Sequence, residues 1–134
     1  MPHVPHPSEP ELGLFYVGIS PRDAASRATV RSRVIGQHLG GNIGSSTFRY
    51  VLSALLRDTL SLRPLKRGTK LALEPADSDR LWQWQRHHLR LTWCSYARPW
   101  EIESDVISVM HPPLNSAGNA THPFFPYVRR ARAA

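Results

Sequence analysis

The chain has 134 residues and a mass of 15.1 kDa, enough for one domain with a modest hydrophobic core and too little for two. Seventeen lysines and arginines, nearly all arginine, stand against ten acidic residues. The net charge of +7 suits a polyanion, above all nucleic acid, although arginine-rich codon usage produces the same excess. A single cysteine excludes an internal disulfide, and neither a signal peptide nor a run of about 20 apolar residues is present, so the expectation is a soluble cytoplasmic protein with no membrane span.

Residues 1–13 hold Pro2, Pro5, Pro7 and Pro10, which deny backbone donors and exclude a central strand, so they read as a loose lead-in. His3 and His6 there lack a partner cluster and are assigned nothing. The stretch Leu14-Phe15-Tyr16-Val17-Gly18-Ile19 predicts a short buried strand, with Gly18 where backbone approaches something closely and Tyr16 carrying a hydroxyl into that place. After a turn at Ser20-Pro21-Arg22-Asp23, a helix is expected over 29–39. Thr29 can cap it, Arg31 and Arg33 alternate with Val30, Val34 and Ile35, and Gly40-Gly41-Asn42 ends it. Ser45-Ser46-Thr47 offers the next N-cap. Phe48, Val51, Leu52, Leu55 and Leu56 then recur at three and four, the cleanest amphipathic helix in the chain.

Between Leu60 and Pro75, Arg63, Lys66, Arg67 and Lys70 interleave with Leu62, Leu65, Leu71 and Leu73 around Gly68. That is a hairpin with one charged face, which either tracks a phosphate backbone or is merely solvated. Asp77 to His88 predicts a helix whose Trp82 and Trp84 either stack bases or fill core. Leu89 to Tyr96 alternates with period two and predicts a strand, with Cys94 in it as an inert small hydrophobe. The last predicted helix begins at Pro99, carries Glu101, Glu103 and Asp105 early, buries Ile102, Val106, Val109 and Met110, and stops at Pro112-Pro113. Glu103 borders the apolar stripe, either as a partner of the helix dipole or as a ligand for a divalent cation. Asn115 caps or holds backbone in the following loop. Residues 116–134 form a tail that docks its aromatics and frays at Arg129, Arg130 and Arg132. No Walker loop, dinucleotide fingerprint or zinc-spaced Cys/His set is present.

Four pieces, in order, resemble the GIY-YIG nucleases: Tyr16-Val17-Gly18 the second tripeptide, Arg33-Val34 the helix arginine, Glu103 before Val106-Ile107 the glutamate, and Pro113-Leu114-Asn115 the closing Pro-x-Asn. Gly44-Ser45-Ser46-Thr47-Phe48-Arg49 and the segment from Ala97 to Glu103 are similar to a bacterial branch of that family. The resemblance covers about residues 14–115. It implies a small α/β (α+β) domain with a short central antiparallel or mixed sheet flanked by helices, the sheet taking in the Tyr16 strand, the Leu91 strand and part of the hairpin. It also implies a metal-dependent endonuclease acting on DNA. Glu103 would bind Mg²⁺ or another divalent cation such as Mn²⁺, Arg33 would face the transition state, and Tyr16 would bring its hydroxyl near the nucleophile. His38 falls close to a family histidine or tyrosine position, and Asn115 would fix the loop at the site. Arg31, Arg49, Lys66 and Arg67 are candidate contacts to the DNA backbone, with solvated surface as the alternative.

The first tripeptide, with its candidate general base, has no counterpart in residues 1–13. Either the natural start lies upstream of Met1, or this is a reduced member of the family. For a reduced member the second reading is a catalytically impaired nucleic-acid-binding remnant. A third is self-association through the sheet edge that the missing strand leaves open.

Overall fold

The computed structural model describes residues 3–133. Among them are five α-helices and two separate two-stranded antiparallel sheets, a mixed α+β architecture. They form two compact units, one made of the residues up to Thr29 together with those from Ala97 onward, the other running Val30–Tyr96.

In the first unit the proline-rich lead-in is not loose. Strand β1 (Val4–Pro5) pairs antiparallel with β2 (Gly13–Leu14), with Val4 opposite Leu14 and Pro5 opposite Gly13. The His6 amide continues the pairing to the Leu12 carbonyl at 2.8 Å. A two-residue ladder at an edge tolerates a missing donor, which is why Pro5 fits where a central strand would reject it. Beyond Leu14 the expected strand makes no ladder with any described residue. Phe15 and Val17 are held instead by residues 114 and 115, as described below.

Helix α4 (Glu103–Met110) follows a 3₁₀ turn over Pro99–Glu101. Its most buried side chain is Ile107, 6 % exposed, whereas Val109 is 74 % exposed and leaves the predicted stripe. With Ile107 inward, Ile102, Val106 and Met110 flank it at the spacing of a helical face, and Val109 falls on the far side. His111 ends the helix in the left-handed region at φ 44°, and buried Pro112 and Pro113 prevent its continuation. The tail does not fray: α5 (Phe125–Ala133) is a helix anchored by Val128, 1 % exposed.

The second unit opens with α1 (Val30–Arg33), which widens into a π-helical segment over Val34–Leu39. Wide turns of this kind are uncommon and recur at functional positions. Helix α2 (Thr47–Leu55) starts where its cap predicts, the Ser46 hydroxyl accepting from the Arg49 amide at 3.1 Å, and buries Phe48, Val51 and Leu52. Strands β3 (Pro64–Arg67) and β4 (Lys70–Leu73) form the predicted hairpin, Leu65 opposite Ala72, turning at Gly68 with φ 63°. Helix α3 (Pro75–His88) buries Asp77, Leu81 and Gln85, one face at intervals of four. Asp77 ties it to the hairpin, accepting from the Arg63 amide at 2.6 Å and from Arg80 at 2.5 Å.

The predicted strand from Leu89 to Tyr96 makes no ladder with any described residue, and Leu91, Trp93 and Tyr96 are 57, 70 and 54 % exposed. Alternation sets which way side chains face; only a hydrogen-bonding neighbour makes a strand. Cys94 is likewise exposed, not an inert interior residue. The expected single sheet is thus two hairpin-like ladders, one in each unit.

Candidate functional site

In the first unit the arrangement centres on Phe15 to Gly18. Gly18 is the close approach that the sequence anticipates: a Cβ added there would lie 3.0 Å from the ring of half-buried Tyr16, so the tyrosine packs over its own strand two residues on. Asn115, 7 % exposed, grips the backbone between them. Its Oδ1 accepts from the Val17 amide at 2.9 Å and its Nδ2 donates to the Val17 carbonyl at 2.8 Å. The Leu114 amide donates to the Phe15 carbonyl at 2.9 Å. One side-chain amide and one backbone amide therefore do for Phe15 and Val17 what a neighbouring strand would do, and the edge that sequence reasoning leaves open is occupied over this stretch.

Asn119 was not anticipated. Buried at 1 % exposure, it donates to the carbonyls of Pro112 and Asn115, at 2.8 and 3.2 Å, and so holds the loop that aims Asn115. The sequence signal for it is slight, a second asparagine four positions after the first.

Glu103 is the first residue of α4 and half-buried, one turn before inward-facing Ile107. Two other carboxylates are at least partly buried, and both are satisfied: Asp23 by the amides of Ala25 and Ser26, Asp77 by Arg63 and Arg80. Glu103 has no hydrogen bond or ion pair to any described residue. Its carboxylate oxygens have no partner among the described residues yet are still reached by solvent, so the group is open to a cation. No group of three or more His, Cys, Asp or Glu residues able to hold a metal occurs among the described residues. Any cation at Glu103 would thus have one protein carboxylate, which suits hydrated Mg²⁺ and not a caged transition metal.

The second unit brings Arg33 and His38 into electrostatic contact on the widened helix. Arg33 Nη1 donates to Gln37 Oε1 at 2.8 Å, while its buried Nε finds no partner among the described residues. His38 is 7 % exposed, its Nδ1 2.7 Å from the Ser46 hydroxyl and its ring edge-on to Phe48. Burial, with a further push from the Arg33 charge, lowers its pKa from 6.5 to about 4. His38 is therefore neutral at physiological pH.

Arg49 is the clearest departure from expectation. It is neither a phosphate contact nor solvated surface: it is 0 % exposed, and burial lowers its pKa. Its guanidinium donates to the Leu39 carbonyl, to Gln85 Oε1 at 2.8 Å and to the Ser78 hydroxyl at 2.8 Å. Gln85 in turn donates to the His38 carbonyl at 3.0 Å. Arg49 and Gln85 thereby hold the end of the π-helical segment that carries His38. Nothing in the sequence distinguishes this arginine from the exposed ones.

Arg31, Lys66 and Arg67 are exposed, with Arg67 3.9 Å from Glu74 in an open ion pair. Trp82 and Trp84 are half-buried, neither in the core nor free to stack a base on every face: Arg86 lies over the first at 5.8 Å and His88 stacks on the second at 4.4 Å. No helix among the described residues is long and apolar enough to cross a membrane. No curated protein and no solved structure matches the chain. The family model described as the GIY-YIG catalytic domain matches residues 5–134.

Proposed function

The chain belongs to the GIY-YIG nuclease family, and from that premise we propose that it is a metal-dependent endonuclease domain that cleaves DNA phosphodiester bonds. The observation that carries this reading is Glu103, a solvent-reached carboxylate at the start of α4 with no hydrogen bond or ion pair to a described residue. In a protein that only bound nucleic acid its one use would be as a partner of the helix dipole, set against its repulsion of phosphate. In cleavage it would serve as a cation ligand.

Glu103 would hold Mg²⁺ or Mn²⁺. When bound, such an ion neutralises charge on the phosphate and lowers the pKa of water. Arg33 would supply positive charge to the phosphoryl oxygens as it builds in the transition state; Gln37 already orients its guanidinium. Tyr16 would direct its hydroxyl to the attacking water, on a backbone that Asn115 keeps from shifting. His38, neutral and held by Ser46, would support the helix that presents Arg33.

The test is nicking of supercoiled plasmid by the full chain, with Mg²⁺ and with EDTA, beside Glu103→Gln. Metal-dependent nicking that disappears in the variant, with plasmid binding kept, is expected. A folded chain that binds DNA and never nicks it would replace this reading with the catalytically impaired remnant.

A further inference from the structure

We propose that the exposed face of α5 docks the phosphate backbone of duplex DNA, an inference that rests on the DNA-cleaving reading above. The helix has two sides. Val128 is buried, and Phe124, Phe125 and Ala131 are half-buried beside it, so this stripe anchors the helix. Tyr127, Arg129 and Arg130 are left on the outside, whereas Arg132 lies back toward the Val128 side, its Nη1 3.5 Å from the Ser116 hydroxyl.

That outer face carries charge of one sign. No Asp or Glu follows Asp105 in the sequence, so α5 has no acidic residue to pair with its arginines along the helix. Elsewhere Arg22, Arg57, Arg67, Arg80 and Arg98 each sit within ion-pair distance of a carboxylate, while Arg27, Arg31, Arg63, Arg86 and Arg90 form no ion pair with a described residue but are scattered along the chain, not adjacent. Arg129 and Arg130 form no ion pair with a described residue. A helix dipole favours cations in the last turn, but it does not require an arginine with a prearranged direction. Arg130 has one: its guanidinium lies 4.7 Å from the centroid of the Tyr127 ring, and Phe124 stacks on the same tyrosine at 5.4 Å and 17°. A stacked guanidinium has already lost much of the rotamer freedom that binding would remove, while its N–H fork still meets phosphate oxygens.

Arg129 and Arg130 lie about 1.5 Å apart along the helix axis and about 100° apart around it. That is the reach of one or two neighbouring phosphates, not of a long track. Phe124 and Arg130 already lie against the Tyr127 ring, which is still 55 % exposed, and these partners favour backbone contact over stacking of an unpaired base. The surface therefore fits the regular phosphate ridge of a duplex better than a single strand.

The experiment measures fluorescence anisotropy of a labelled duplex of about 20 base pairs with the full chain in EDTA, across NaCl concentrations, for wild type, Arg129→Gln/Arg130→Gln and Arg129→Lys/Arg130→Lys. Each lost phosphate contact should lower the slope of log Kobs against log salt by about 0.9. The glutamine variant should lose about 1 to 2 from that slope and bind roughly tenfold more weakly near 0.1 M salt. The lysine variant should keep the slope, and circular dichroism should show both folded. An unchanged slope in the glutamine variant, beside a wild type that binds and nicks, would overturn the α5 surface alone. A wild type without salt-dependent DNA binding would remove both proposals, and tighter binding of single-stranded RNA than of duplex would overturn the duplex assignment.

Discussion

Asn115 substitutes for a β-strand on Val17. Its side-chain amide accepts from one backbone group and donates to the other, at 2.9 and 2.8 Å, across 98 positions of sequence. An amide is the side chain that can do both at once, being donor and acceptor two bonds apart in one plane. The extended stretch that carries Tyr16 is thereby held by a loop residue, whose own carbonyl accepts from Asn119.

Asn115→Ala leaves both Val17 groups without a partner in a partly buried place. It should destabilise the chain by about 1–3 kcal/mol, read by urea unfolding. Plasmid nicking should fall further than stability alone explains, because Tyr16 loses its support. Wild-type stability in this variant would mean that water replaces the clip at no cost.

Replacing Arg49 should damage folding, not DNA affinity. Arg49→Met removes a desolvated cation, which is favourable, but takes the donor from Gln85 Oε1, the Ser78 hydroxyl and the Leu39 carbonyl. Three unsatisfied groups outweigh the relief, so a net loss of about 2–4 kcal/mol is expected. Denaturant midpoints with an unchanged m-value would check it, and a salt slope of DNA binding equal to wild type would separate Arg49 from the surface arginines.

Stability should depend on pH through His38. In the folded chain burial and Arg33 hold its pKa at about 4, against 6.5 for an ordinary histidine. Between those values the unfolded chain binds more protons, so stability rises with pH. The contribution, about 3 kcal/mol at most, is complete above pH 6.5 and is lost as pH falls towards 4. His38→Gln should remove that part of the slope between pH 4 and 6.5, measured by thermal or urea unfolding at several pH values.

Arg33→Ala should lower nicking by on the order of 10²-fold if the guanidinium faces the transition state, with a smaller loss in DNA affinity. The same change removes one of the two influences that depress His38, so the histidine pKa should move up, observable by NMR titration. Equal losses in binding and cleavage would make Arg33 a binding residue only.

Much of this protein is written locally. A serine three positions before an amide that needs an acceptor starts α2, Pro75 opens α3, Gly68 turns the hairpin and Pro112-Pro113 closes α4. Each signal acts within one turn of the chain, so sequence alone carries it. The four motif pieces are legible for a similar reason, since family membership depends on residue types in order, not on contacts. Sequence also places Glu103 at the border of an apolar face, and the half-buried carboxylate is found there.

The tertiary structure decided where the charges and edges went. Arg49 and Arg31 look alike in sequence, yet one is buried because Gln85 and Ser78, 36 and 29 positions away, meet its guanidinium. Leu89 to Tyr96 alternates as a strand should, but no described residue supplies its ladder. Among the described residues no strand pairs with the Tyr16 stretch beyond Leu14, and Leu114 and Asn115 take that place. Composition and periodicity say which residue types an element contains. Burial and hydrogen bonding are settled by the remote groups that fold against it, and those partners are set by the whole chain.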